Sequence, residues 1–281
     1  ASAFRAAAAF TAVIIPVLLV IMMLLFGRYS EGASKDSGGL MQPSLLRFDF
    51  SEYVKLETEI SMGSDLVMLL RNNGYLNSVY QRRFYLSGYK TGAGFFLQDG
   101  PGERPQLLDV PDRPESTGIE RFPKRTRSVQ EYFIINFDPS ALIAMNYPVE
   151  VSPLSNWNNS SFLNNYKVTS ETVEMPSWEL AEAEMMELDS SLYQFYTDYG
   201  NDEEIKELAE EVTKGLDNYY DRVIAIMFYL RDSYFYSLKP GVAADGDQLH
   251  HFLFRSRKGY CSYFAFSMAL MCRSIGIPAR V

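Results

Sequence analysis

The chain has 281 residues, 47% hydrophobic and 22% charged, enough for a membrane segment plus one or two globular domains. A formal net charge of −9 argues against a nucleic-acid partner, whose recognition needs a basic stripe. Two histidines and two cysteines, with no C-x-x-C spacing, are too few for a zinc or His-rich centre, so neither a metal nor a cofactor is expected.

The first element is apolar. Ala6 to Gly27 reads AAAAFTAVIIPVLLVIMMLLFG, and as a helix it is about 33 Å long, the thickness of a bilayer core. Pro16 is tolerated within such a helix. A secretory signal is the competing reading, but its apolar part is shorter, about 7–15 residues, and is followed by a small-residue cleavage site that this chain lacks. Residues 1–28 are therefore expected to hold a transmembrane helix. Arg5 before it and Arg28 and Lys35 after it do not choose an orientation. The chain opens on Ala1, so further spans upstream stay open. Residues 29–45, rich in Gly and Ser, read as a linker.

Residues 46–175 read as a β-rich domain. The stretch 53–60 alternates, with Val54 and Leu56 on one face. Residues 66–71, 82–89 and 132–137 are short apolar or aromatic runs bounded by turn residues. The stretch 166–175 alternates again, with Val168 and Val173 as candidate inward residues. Loops rich in Gly, Pro and Asp fall between, notably over 98–128, and the pattern predicts a sandwich or an open-barrel-like sheet.

After Pro176 the pattern becomes helical. Trp178–Asp189 is made of helix formers. Asp202–Gly215 has acidic residues at its start, Ile205, Leu208 and Val212 on one face, and a glycine stop. Asn218–Asp232 has an apolar face through Val223, Ile226, Met227 and Leu230. Residues 234–238 suggest a short strand, and Pro240 and Gly241 break the chain. A last helix is expected from Cys261 to Ile275, ended by Gly276 with Pro278 beyond. The fold class expected is α+β: the N-terminal span, the β-rich domain, then a helical core over 176–281.

The cysteines Cys261 and Cys272 are eleven residues apart. On one helix that is about 16 Å, beyond the ~7 Å Cα separation that a disulfide tolerates. For Cys272, inside the helix, the plain reading is a small buried hydrophobe. For Cys261 that reading competes with a reactive one. A thiol at a helix start faces free backbone N–H groups and the positive end of the macrodipole, and both favour thiolate, the nucleophilic form.

The segment RSRKGYCSYFAFSMALMCRSIGIPARV resembles the nucleophile segment of the transglutaminase-like superfamily, cysteine acyl-transfer enzymes with a papain-like core. The matching positions are Gly259, Cys261, Phe264, Ala265, Leu270, Arg273 and the Gly276–Arg280 run. With the preceding helix the likeness extends over about 65 residues. The layout is also similar to bacterial membrane proteins in which membrane helices precede an extracytoplasmic β-rich segment and the core. The resemblance implies that Cys261 attacks an amide carbonyl, with its own N–H as a candidate oxyanion donor. It implies a His and an Asp after the cysteine in sequence, and the chain stops twenty residues past Cys261. His250 and His251 lie upstream and read as packing or surface residues. Gly259 reads as a tight turn open to substrate backbone, and Arg273 and Arg280 as structural ion-pair partners.

Two functions compete. One is a membrane-anchored cysteine acyl-transferase or peptidase acting on protein or peptide amides, including those of the cell envelope. The other is a non-catalytic tethered binding module with an incomplete core. A redox or metal protein is a weaker third.

Overall fold

Side chains alternate across a strand, and that alternation decides what the sheet buries. The computed structural model describes residues 56, 65–73, 80–118, 125–154, 162–173 and 175–281. The apolar run 6–27, the linker and all of 53–60 except Leu56 lie outside the described residues. Among the described residues no helix is long and apolar enough to cross a membrane. The strands described are β1 (Met68–Asn72), β2 (Gly88–Lys90), β3 (Gly94–Phe96), β4 (Glu115–Ser116), β5 (Arg125–Ile134), β6 (Pro148–Pro153), β7 (Asn164–Val173), β8 (Phe235–Tyr236) and β9 (Lys258–Gly259).

Five of them form an antiparallel sheet in the order β1-β5-β7-β6-β4. On β5, Gln130, Tyr132 and Ile134 are buried; on β7, Tyr166, Val168 and Ser170 are. Tyr132 and Tyr166 are register partners, and their rings stack 5.0 Å apart. The Tyr166 hydroxyl donates to the Ile143 carbonyl and accepts from the Ile143 N–H, each at 3.0 Å, so its polar end is satisfied inside the core.

Two readings of this region need correction. Val168 is fully buried, but Val173 is 47% exposed. Five residues separate them, an odd number, so on a period of two they face opposite sides. The run 82–89 is strand only at its end. Arg82 makes an isolated bridge to Ala144, and Tyr85 and Leu86 hydrogen-bond to Gln106 and Val281 before Gly88 opens β2.

The helices are α1 (Ser177–Ala181), α2 (Ser190–Tyr196), α3 (Glu203–Val212), α4 (Tyr219–Ser233), α5 (Gln248–His251) and α6 (Cys261–Ser274). The helix expected over Trp178–Asp189 stops at Ala181. Continuing it would gather Glu182, Glu184 and Glu187 toward its negative end with no basic residue in the last turn, and α1 buries nothing to offset that. Asp202 caps α3 by accepting from the Glu204 and Ile205 N–H groups, and Asn218 caps α4 by accepting from Asp221. Ile226 and Leu230 of α4 are buried, whereas Met227 is 37% exposed because it sits about 100° round the helix from Ile226.

α6 is the centre of the helical core. Tyr263, Phe266, Ala269, Leu270, Met271 and Cys272 are buried, and Gly276 ends the helix with φ of 79°. Ile205 and Ala209 of α3 and Ile226 and Leu230 of α4 pack into the same cluster. So do Leu86 and Phe95, from the segment around β2 and β3. The protein is thus a mixed α/β fold with a β-sheet region and a helical core.

Candidate functional site

Four local features set Cys261 at the first residue of α6. α5 runs into a π-helical turn over Phe252–Ser256, and Arg257, left-handed at φ 50°, turns the chain back. β9 then pairs in parallel with β8, matching Lys258 to Phe235 and Gly259 to Tyr236. Tyr260 is extended, and the helix begins at Cys261. Gly259 and Tyr260 are buried while Cys261 is exposed. Tyr260 supplies no side-chain cap. Among the described residues no acceptor takes the N–H of Cys261 or Ser262, so both are free to donate to a ligand.

Gly259 has a different role from the one its position suggests. A β-carbon there would stand 2.7 Å from Tyr263 Cβ and 2.9 Å from Phe252 Cδ2. The space next to it is filled by the protein's own rings, and it is not open to substrate. Those rings form a packed aromatic base beneath the cysteine. Phe252 lies 5.3 Å from Tyr263, 5.2 Å from Phe264 and 4.9 Å from Tyr234, and the Tyr234 hydroxyl donates to the Leu253 carbonyl at 2.9 Å. Phe235 and Tyr236, on β8 alongside β9, are 69% and 60% exposed and present an aromatic edge to solvent.

The other candidate residues fall elsewhere. His250 Nε2 meets Glu204 Oε2 at 2.5 Å, and its ring packs on Phe254. Among the described residues nothing hydrogen-bonds to the Cys261 sulfur, and no group of three His, Cys, Asp or Glu is gathered to hold a metal. Cys272 is buried, and burial pushes its thiol up to about 12. Neither Arg273 nor Arg280 pairs with a carboxylate among the described residues. Arg273, 1% exposed, donates instead to the carbonyls of Ala279, Asp198 and Ser87 at 2.7, 2.9 and 2.7 Å. Arg280 stacks on Tyr85, 3.4 Å from the ring centroid. Carbonyls satisfy the Arg273 guanidinium without the desolvation of a second ion, while Arg280 rests on a ring face.

A cavity of about 740 Å³ among the described residues is not lined by Cys261. It lies between Tyr85, the 99–107 loop and the Pro278–Arg280 segment. Sequence reasoning could not find it, because Tyr85 and Arg280 carry no shared local pattern. What marks Cys261 is its place at a helix start.

Residues 206–281 match the model of the transglutaminase-like superfamily. The chain is similar to the uncharacterized protein YebA of Bacillus subtilis (strain 168), 37% identical over 81 residues, which is 28% of this chain and 11% of that protein. It is also similar to a protein-glutamine gamma-glutamyltransferase of Pseudomonas aeruginosa, 48% identical over 46 residues, 16% of this chain and 7% of that protein. The match therefore spans about a tenth or less of each relative's length. Among solved structures, the periplasmic domain of TgpA from Pseudomonas aeruginosa has a TM-score of 0.49 at 18% identity, over 78% of this chain and 73% of that one.

Proposed function

Because residues 206–281 match the model of the transglutaminase-like superfamily, we propose that this protein is a membrane-anchored cysteine acyl-transferase or peptidase with Cys261 as its nucleophile. The Cys261 sulfur attacks the carbonyl carbon of an amide, and the oxygen takes the negative charge. Free N–H groups at the start of α6 are suited to that oxyanion. The tetrahedral species collapses, the C–N bond breaks, and ammonia or an amine leaves with a proton, giving a thioester on Cys261. An amine or water then attacks the thioester and restores the thiol.

The observation that carries this reading is an exposed thiol at the first residue of α6, beside N–H groups that no acceptor among the described residues occupies. The name of the Pseudomonas relative supports the side-chain amide of protein glutamine as acyl donor. In this proposal the base and its orienting group, a His and an Asp, come from the protein beyond Val281. Residues 6–27 span the membrane, residues 46–175 form an extracytoplasmic β-rich domain, and residues 176–281 form the core. Protein or peptide chains of the cell envelope are the substrates that location would offer.

The test uses the whole protein and its Cys261→Ala variant with a glutamine-containing peptide and a fluorescent primary amine. A peptide thioester should be found on Cys261 by mass spectrometry, with labelled or hydrolysed product appearing only in the wild type. Product formation that survives Cys261→Ala would falsify the assignment.

A further inference from the structure

Among the described residues, two guanidiniums that line the cavity of about 740 Å³ have no counterion. Arg82 Cζ lies 3.7 Å and Arg280 Cζ 3.4 Å from the centroid of Tyr85. Carbons that near one centroid must sit on opposite faces of the ring, no more than about 7 Å apart. Among the described residues neither arginine has a carboxylate within ion-pair distance, and Arg82 Nε is buried with no acceptor. A third guanidinium, that of Arg104, lies across Gly118 in the space its β-carbon would take.

Each of the two carboxylates that line the cavity has one oxygen held by hydrogen bonds, and neither forms an ion pair with these arginines among the described residues. Asp99 Oδ1 accepts from the Gln106 N–H at 3.2 Å. Glu103 Oε2 accepts from the Tyr196 hydroxyl at 2.5 Å and the Gly100 N–H at 3.1 Å. We infer that this cavity is a binding site for an oxyanion, a phosphate or a carboxylate group, bound by the arginines that line it, Arg280 foremost. The inference rests on no part of the acyl-transfer proposal.

The backbone that carries these cations and their ring is held in place before any ligand arrives. The Tyr85 backbone is clamped by Gln106, whose Oε1 accepts from the Tyr85 N–H at 2.6 Å and whose Nε2 donates to the Tyr85 carbonyl at 3.0 Å. Arg82 is fixed by two backbone bonds to Ala144, 2.8 and 3.0 Å. Arg280 lies between two anchored neighbours: Ala279 donates to the Tyr196 carbonyl, and Val281 exchanges two backbone bonds with Leu86. Burial and the like charge of Arg280 both disfavour the charged form of Arg82. An anion in the cavity beside either cation offsets both effects, and the planar guanidinium fork suits bidentate oxyanions. The volume, about 740 Å³, is that of a small-molecule site. Leu107, Met186 and Leu188 also line it, so the anionic group can carry an apolar body.

The experiment titrates the full chain, in non-ionic detergent, with pyrophosphate in one arm and tricarballylate in the other, by calorimetry. Saturable binding of at least one anion is expected, weakened by added salt. Affinity should fall roughly tenfold or more in Arg280→Gln. Arg231→Gln, an exposed arginine paired with Asp232, serves as the control and should bind as the wild type does. The arm that binds identifies the group as phosphate or carboxylate. A measurement on the wild type alone guards against a variant that fails to fold: the bound anion should slow phenylglyoxal modification of Arg280 several-fold. No saturable binding of either anion at millimolar concentration, equal affinity in Arg280→Gln, or no protection of Arg280 overturns the inference and leaves a purely structural stack.

Discussion

A methyl group added at Gly259 would meet Tyr263 Cβ and Phe252 Cδ2, both inside ordinary contact distance. Neither atom is the free end of a flexible chain, so relief requires β9 or the rings to shift. Gly259→Ala should cost about 1–3 kcal/mol, the usual range for overpacking, read as a lower urea midpoint. Because β9 leads directly into α6, the same variant should change the rate at which Cys261 is alkylated. An unchanged midpoint would mean that the contact is not rigid. Cys272 makes a separate case. Its thiol is raised by burial to about 12 in the folded state, against an ordinary value of 9.0. Below pH 9 both states carry the proton and the full benefit of the buried neutral thiol is present. Between pH 9 and about 12 the unfolded state releases its proton first, so stability falls as pH rises, by up to about 1.4 kcal/mol per pH unit. The stability difference between wild type and Cys272→Ala, measured from pH 8 to 11, should shrink on the alkaline side. A difference that stays flat contradicts this account.

At the scale of elements, the long helices are the part whose sequence speaks for itself. α3 carries its own start signal in Asp202, whose Oδ1 accepts from the Glu204 and Ile205 N–H groups at 3.0 and 3.1 Å. Asp202→Ala should therefore cost about 1 kcal/mol, measurable by urea unfolding, with Asp202→Asn keeping most of the loss from appearing. α6 is legible for a related reason: Gly276 takes a positive φ and Pro278 follows, so the end is written in the chain. Where a local signal lacks a packing partner, the reading fails. The residues after Ala181 are good helix formers, yet nothing in α1 is buried, and propensity alone does not hold a helix of that length. The run 82–89 is apolar enough for a strand, but Tyr85 and Leu86 find their hydrogen bonds on Gln106 and Val281. The thiol's place at the head of α6 was readable because a glycine, an aromatic residue and an apolar helix stand in order. The aromatic floor that fixes it was not, since Tyr234 and Phe252 meet Phe264 only through the fold.

Across the whole molecule, a single buried cation ties together segments that no pattern in the chain connects. Arg273 projects from α6 and donates to Ser87, which is 186 residues earlier, to Asp198, and to Ala279. Its guanidinium also lies 4.9 Å from the Phe95 ring centroid. Burial pulls this group down to about 10, still far above neutrality, so it is charged at pH 7 and needs its three carbonyl partners. The same neighbourhood holds the Leu86–Val281 backbone pair and the packing of Leu86 and Phe95 against the helical cluster. Arg273 is thus the polar pin through an otherwise apolar contact. Removing it leaves three carbonyls without donors, each expensive where water cannot reach. Arg273→Met keeps most of the volume and should still cost about 3–5 kcal/mol. Arg273→Lys should recover only part, because one ammonium on a thin stem cannot match the planar fork that reaches three acceptors. The loss should also be local in a particular way. Hydrogen exchange at Leu86 and Val281 should speed up more than exchange in the β5–β7 ladder, whose core is a separate cluster around Tyr132 and Tyr166. Equal acceleration in both regions would show that Arg273 stabilises the molecule uniformly, and the pinning role would then be lost.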